Sequence, residues 1–371
     1  MPEPSLLERV DRLIPALAGQ AAAIEERREV PPQVFDALRD AGCLRMVVGR
    51  EHGGEALALP AALEVIERLS SAHATVGWLI GQVALGHVVA GYLPAAARAR
   101  IYAAGPDVYV AGAAAPKGRA TRDGDALRVS GRWPLVSGCR HAEWLYLQCL
   151  VQDQGEPVMG PGGIPTMRCV VVPAEQARIL ETYRGIGLRG SGSHDVVVSG
   201  LSCPPELACD LTAAPSDDAP IMVVPVATQA GLFAAAVMLG IAAGALEAIA
   251  TLAAQKRSSF SSQRLADSPL FQNVLGETSM TLAAGRALLR RQVALAETAA
   301  MPDDAWLRSV ATKAAELATE VVDRAYRLGG SSSVIDGSPL ERRLRDTRSL
   351  TQHATLSRDH LARLGAALAA P

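Results

Sequence analysis

Apolar residues recur at helical spacing along most of this chain, and the period changes only in the middle. From Leu6 to about Arg100 the pattern is helical. Ala61 to Ser70 repeats apolar residues on one face, with Glu64, Glu67 and Arg68 on the other. Val30-Pro31-Pro32 predicts a helix from Gln33, because a proline in the first turn lacks only an N–H that would have no partner there. Between Val108 and about Pro205 the apolar runs become short and strand-like: Val108–Ala111, Ala126–Gly131, Trp144–Val151, Arg168–Val172 and Asp195–Val198. Gly and Pro punctuate them, as in Pro161-Gly162-Gly163. From Pro225 the helical period returns and persists, with breaks near Ser268-Pro269, at Pro302 and from Gly329 to Pro339. This order predicts an α+β, mainly helical protein, with helical domains at 1–104 and 216–371 and a β domain at 105–215. There is no internal repeat and no low-complexity tail.

Composition narrows the core and the partners. Hydrophobic residues make up 49% of the 371 positions but aromatics only 4%, so Ala, Leu and Val must fill the interior and closely packed helices are favoured. A net charge of −2 offers no field to gather nucleic acid or an anionic membrane. Ala230 to Leu246 holds no charge and is nearly long enough to span a bilayer. Its Ala and Gly content, followed by Glu247 and Lys256-Arg257, fits a buried bundle helix instead. The six cysteines, Cys43, Cys139, Cys149, Cys169, Cys203 and Cys209, show no metal spacing and read as reduced core thiols of a cytoplasmic protein. The N-terminus lacks a signal-peptide pattern. His52, His73, His87, His194 and His360 have no ligand-like partners at metal spacing, so no metal is expected. The three lysines against many arginines point to a GC-rich bacterial gene.

Two tempting motifs fail on mechanism. Gly185-Ile186-Gly187-Leu188-Arg189-Gly190 matches GxGxxG, but dinucleotide binding needs a strand before the glycines and a helix after them. Here a strand, Val196-Val197-Val198, follows, and a turn between strands is the better reading. Ser193-His194-Asp195 is no catalytic triad, since triad members meet by folding and not by adjacency.

Three segments carry the candidate chemistry. The first, Gly131 to Trp144, leads a strand into Ser137-Gly138, a small hydroxyl beside a flexible backbone point that admits a flat ring. The second, Gly187 to Ser193, offers backbone and hydroxyl donors. The third is Leu328-Gly329-Gly330, Ser338-Pro339-Leu340-Glu341-Arg342, Arg345-Asp346 and Gln352-His353, with Arg257-Ser258-Ser259-Phe260 and Gln272 in the helices before it.

Their order and content resemble the acyl-CoA dehydrogenase superfamily, and within it the flavin-dependent monooxygenases, the oxygenase halves of two-component systems. The resemblance implies a helical N-domain, a central β-barrel and a C-terminal four-helix bundle. It implies that Ser137 hydrogen-bonds flavin N5 and that Trp133 lies in the flavin-adjoining strand. Arg257, Phe260 and Gln272 would contact the flavin phosphate or nucleotide across a subunit boundary lined by Gly329 and Gly330. It further implies a homotetramer. The base of many dehydrogenases, a Glu, falls on Ala354, and a proton cannot be abstracted by alanine. Gly112-Ala113-Ala114-Ala115-Pro116 stands where those enzymes carry Thr-Glu-Pro-Gly. The monooxygenase branch instead has a histidine at the place of His353, paired with the serine matched by Ser137. The implied activity is hydroxylation of a small organic molecule through a C4a-hydroperoxyflavin, with FMNH2 or FADH2 supplied by a separate NAD(P)H:flavin reductase. Serine and imidazole would hold the oxygens while water is excluded. Trp78 and His141 are candidates for the substrate pocket, and Arg345-Asp346 for an ion pair fixing a His353 helix. The alternatives are a dehydrogenase or oxidase with a displaced base, or a non-catalytic member of the fold.

Overall fold

The computed structural model describes residues 4–257, 262–296, 298 and 303–370. Six helices come first: α1 (Leu6–Gly19), α2 (Ala21–Arg27), α3 (Pro32–Asp40), α4 (Leu59–Ala72), α5 (Ala74–Ala90) and α6 (Ala95–Ile101). A capping box starts α1, with the Ser5 side chain accepting from the Glu8 N–H and Glu8 answering at the Ser5 N–H. Helix α3 begins at Pro32, one residue before the expected start. Helix α5 is buried on every side, which explains why its sequence shows no polar face.

Eight strands follow: β1 (Val110–Asp123), β2 (Ala126–Val136), β3 (Trp144–Asp153), β4 (Glu156–Pro157), β5 (Met167–Pro173), β6 (Arg178–Leu180), β7 (His194–Cys203) and β8 (Ala208–Cys209). They form one sheet in the order β6-β7-β2-β1-β3-β5-β8, with β4 beside β3; among the described residues no pairing joins β6 to β8. The five runs anticipated from the sequence lie in or overlap β1, β2, β3, β5 and β7. Most of β1 escaped notice because Ala113 to Pro116 has poor strand propensity, and the β1–β3 register shifts between Ala113 and Gly118.

The helical period returns in α7 (Val226–Gln255), α8 (Pro269–Ala296), α9 (Asp304–Gly329), α10 (Pro339–Leu350) and α11 (Asp359–Ala369). Helix α7 is long and apolar enough to cross a membrane, but its most apolar window is 78% buried, and it packs against α4, α5, α9 and α10. It is the central core helix, as its Ala and Gly content implied. All six cysteines are buried and free.

Candidate active site

Strand β2 ends at Val136, and the turn that follows holds Ser137 under the N-terminal helices. Gly138 takes a φ of +67°, and a Cβ there would collide with the Tyr109 phenol. That close fit lets the Tyr109 hydroxyl donate to the Ser137 carbonyl at 2.9 Å. From the other side the Gly138 N–H donates to the Ser191 carbonyl at 2.8 Å. The Ser137 hydroxyl, itself buried, accepts the indole N–H of Trp78 from α5 at 3.0 Å and lies 2.8 Å from the Ser193 hydroxyl. Ser193 in turn lies 2.7 Å from the Ser191 hydroxyl.

The Trp78 ring also meets His353 edge-on, with centroids 5.3 Å apart. His353 is not inside a helix. It stands just beyond α10 and caps the short turn Ala354–Leu356. Its Nδ1 lies 2.8 Å from the Thr355 hydroxyl and 3.4 Å from the Thr355 N–H. Both contacts are made together only if Nδ1 accepts, so the proton is assigned to Nε2. Burial holds the imidazole pKa below its ordinary value, which keeps the ring neutral at pH 7. Three elements far apart in sequence thus bring Ser137, Trp78 and His353 into one contact chain.

The glycine turn is what docks this wall onto α10. No helix follows it; β7 does. A Cβ on Gly187 would collide with the Arg345 carbonyl, so only glycine lets the turn lie against α10. The Gly187 N–H donates to the Ser349 hydroxyl at 3.0 Å and the Leu188 N–H to the Asp346 carboxylate at 2.6 Å. Arg345 and Asp346 are not paired with each other, contrary to expectation. Arg345 binds Glu341 on its own helix and Glu25 of α2, and it donates to the Ile186 carbonyl. Adjacent positions on a helix point about 100° apart, so each finds its own partner. Buried Asp346, deprived of solvent, has its pKa raised to about 6.

The remaining predicted residues lie elsewhere. Trp133 is wholly buried, with its indole donating to the Gln148 carbonyl at 2.8 Å and its ring against Gly118 and Gly131. No part of that side chain is left for a ligand, and its place is inside the sheet domain. The His141 ring stacks on Phe35 at 4.5 Å, with Nε2 3.7 Å from Glu29. Arg257 and Gln272 are exposed at the α7–α8 junction, where Arg257 binds the Ser262 carbonyl and Gln272 the Ala266 carbonyl. Phe260 lies outside the described residues. Gly329 is buried, Gly330 is exposed, and Lys256 donates to the Gly329 carbonyl at 2.7 Å. Leu135 went unnoticed in the sequence. It is 64% exposed at a φ of +59°, an apolar surface two residues from the Ser137 hydroxyl. Its signal was the apolar residue after Pro134 at a strand end, which pattern alone assigns to the core.

Comparison with known proteins decides the family. Residues 7–101 match the acyl-CoA dehydrogenase N-terminal domain and residues 232–358 the C-terminal domain. The chain belongs to the acyl-CoA dehydrogenase superfamily. Its relatives place it in the flavin-dependent monooxygenase branch, as an oxidoreductase. It is 30% identical over 337 residues to indole-3-acetate monooxygenase of Pseudomonas putida, covering 89% of this chain and 85% of the relative. It is 25% identical over 364 residues to HsaA, the oxygenase subunit of a flavin-dependent monooxygenase of Rhodococcus jostii, covering 94% of each. The structure of XiaF from Streptomyces sp., solved with FADH2 and glycerol, superimposes with a TM-score of 0.89 at 24% identity, over 98% of this chain and 94% of that one.

A flavin of this superfamily fits the residues present at Ser137. A flat tricycle needs an apolar face and a polar group at its N5 edge. Leu135 offers the first, and the buried Ser137 hydroxyl, fixed by two neighbours, offers the second.

Proposed function

We propose that this chain is the oxygenase component of a two-component system. It takes FMNH2 or FADH2 from a separate NAD(P)H:flavin reductase and places one atom of O2 on a small, largely aromatic substrate. The contact chain from Ser137 through Trp78 to His353 carries this reading. When bound, reduced flavin supplies the electrons that activate O2. Ser137 orients the ring at N5. Trp78 holds Ser137 and packs in a T-shaped contact against His353. His353, neutral and protonated on Nε2, donates a hydrogen bond or a proton where oxygen is transferred. No side chain capable of taking an α-proton stands at Ala354, which disfavours dehydrogenation.

The substrate class follows from the relative that acts on indole-3-acetate. Arg257 and Gln272, exposed and bonded to the Ser262 and Ala266 carbonyls of their own segment, suit an anchoring role for the flavin phosphate of a neighbouring subunit in a homotetramer. In each protomer α10 would stand as the fourth helix beside α7, α8 and α9, and the curled sheet as the barrel of the family. Six buried free thiols suit a cytoplasmic setting.

The test is a reaction under 18O2 with enzymatically reduced FMN or FAD and a panel including indole-3-acetate and resorcinol. One 18O atom per product molecule is expected. A product with a new C=C bond and no label would overturn the proposal.

A further inference from the structure

The peptide joining Ser137 to Gly138 is free to turn over as far as its own sequence goes. Gly138 takes a φ of +67°, and glycine populates positive and negative φ about equally, so a flip of this peptide costs little by itself. Its two ends are nevertheless pinned from opposite sides. The Tyr109 hydroxyl donates to the Ser137 carbonyl at 2.9 Å, and the Gly138 N–H donates to the Ser191 carbonyl at 2.8 Å. Both bonds have a fixed sense, because a carbonyl can only accept. The phenol fills the space of the side chain that Gly138 lacks. Tyr109 is itself held firmly. Its N–H donates to the Glu143 carboxylate at 2.7 Å, and its ring stacks on Phe35 at 5.8 Å. Phe35 in turn stacks at 4.5 Å on His141, whose N–H closes the turn by donating to the Gly138 carbonyl at 2.9 Å. Burial holds the Tyr109 pKa well above its ordinary value, so the proton stays on the oxygen.

We propose that Tyr109 is a positioning residue for oxygenation: by holding the Ser137 carbonyl it keeps the Ser137–Gly138 peptide in one orientation, and with it the Ser137 hydroxyl that meets flavin N5. This rests on the placement of flavin N5 at Ser137 proposed above. A flip breaks both pinning bonds and exchanges the sides to which the carbonyl and the N–H point, next to the hydroxyl that orients the ring. Misplacing a reacting centre by about 1 Å costs on the order of 100-fold in rate. A reduced flavin held out of line then passes two electrons and two protons to O2, giving H2O2 and no oxygenated product. Tyr109 is fully buried, so it acts through the peptide and not by touching flavin or substrate. The same stack makes His141 a support of the turn.

The experiment compares wild type, Tyr109→Phe and a control, Tyr102→Phe, which loses another buried phenol contact, the 3.0 Å one with His87 Nδ1. Crystals of each, soaked anaerobically with reduced FMN or FAD, are read for the orientation of the Ser137–Gly138 peptide. One orientation is expected in wild type and control, and a second, reversed one in a large part of the Tyr109→Phe molecules. In solution the ratio of oxygenated product to H2O2, with indole-3-acetate or resorcinol as substrate, should fall about tenfold in Tyr109→Phe, the worth of roughly one net hydrogen bond. Affinity for reduced flavin should stay within a few fold, and the control should keep the wild-type ratio. A Tyr109→Phe peptide in the wild-type orientation alone overturns the proposal, as does an unchanged ratio. An equal fall in the control overturns it too, since that marks a general loosening of the fold. If Tyr109→Phe fails to fold, Phe35→Leu, which removes the stacked support and leaves the hydroxyl, carries the same readings at smaller size. Wild-type crystals in which reduced flavin does not lie against Ser137 sink the flavin placement, and the proposal with it; the peptide reading tells the two failures apart.

Discussion

The wall around Ser137 and the junction between α7 and α8 differ in how much of their work is done before any ligand arrives. At Ser137 every polar neighbour is buried and committed: Trp78, Ser193, Ser191 and Tyr109 hold the residue from several sides. At the junction Arg257 and Gln272 stand exposed, and among the described residues their side chains bond to backbone carbonyls of their own segment. The first arrangement loses little on binding because its geometry is already set, as a site that aligns reacting atoms requires. The second must reorganise to hold a ligand, which suits an anchor and not a catalytic group. On the placement proposed above, one fold would separate orientation of the reacting ring from attachment of its charged end.

The largest effect should come from His353→Ala. Substrate oxygenation is expected to fall about 100-fold or more, with O2 consumption diverted to H2O2, while affinity for reduced flavin stays within a few fold. Comparing product yield with peroxide yield checks this. A parallel loss of flavin affinity would mean that His353 belongs to the anchoring region instead. Since burial lowers its pKa, the neutral ring should persist below pH 6.5, and the acid limb of the coupling profile should lie under that value. That limb should vanish in His353→Asn.

Gly187→Ala tests whether the wall depends on its docking to α10. A methyl group forced against the Arg345 carbonyl should destabilise the protein by roughly 3 kcal/mol, read as a lower urea midpoint. Little change would show that the turn floats free of the helix.

Asp346→Asn refines the same contact. The carboxyl pKa is raised from its ordinary 3.8 to about 6, so the protonated form is favoured in the fold. Its stabilisation is complete below about pH 4 and is lost as pH rises through 6. An asparagine keeps an acceptor for the Leu188 N–H without the buried charge. Relative to wild type the variant should gain on the order of 3 kcal/mol between pH 4 and 7, with no further gain above. A difference independent of pH would contradict the shift.

The smallest effect belongs to the exposed junction. Arg257→Ala should weaken reduced-flavin binding about fivefold and leave the ratio of product to peroxide unchanged. An altered ratio would erase the distinction between the two regions.

Much of the architecture was legible in the chain. The period-3.6 patterns marked the helices from Leu6 onward and again from Pro225, and a proline at each start set α3, α8 and α10 nearly to the residue. The same logic rejected the GxGxxG match, and β7 does follow those glycines. The strands built from Ala and Gly in β1, and the two- and three-residue strands β4, β6 and β8, left no pattern, because their pairing comes from neighbours and not from their own side chains.

For the site, sequence picked out Ser137, Trp78 and His353 as residue types worth watching. Only the tertiary structure decided that Trp78 joins the other two. It also enclosed Trp133 in the sheet domain, sent Asp346 to a backbone N–H instead of to Arg345, and set the Ser137 hydroxyl between Trp78 and Ser193. The reason is physical. Periodicity is a local property, carried by a few turns of chain. A hydrogen bond's partner and polarity are set by groups tens to hundreds of residues away, and no local pattern encodes which of them will meet.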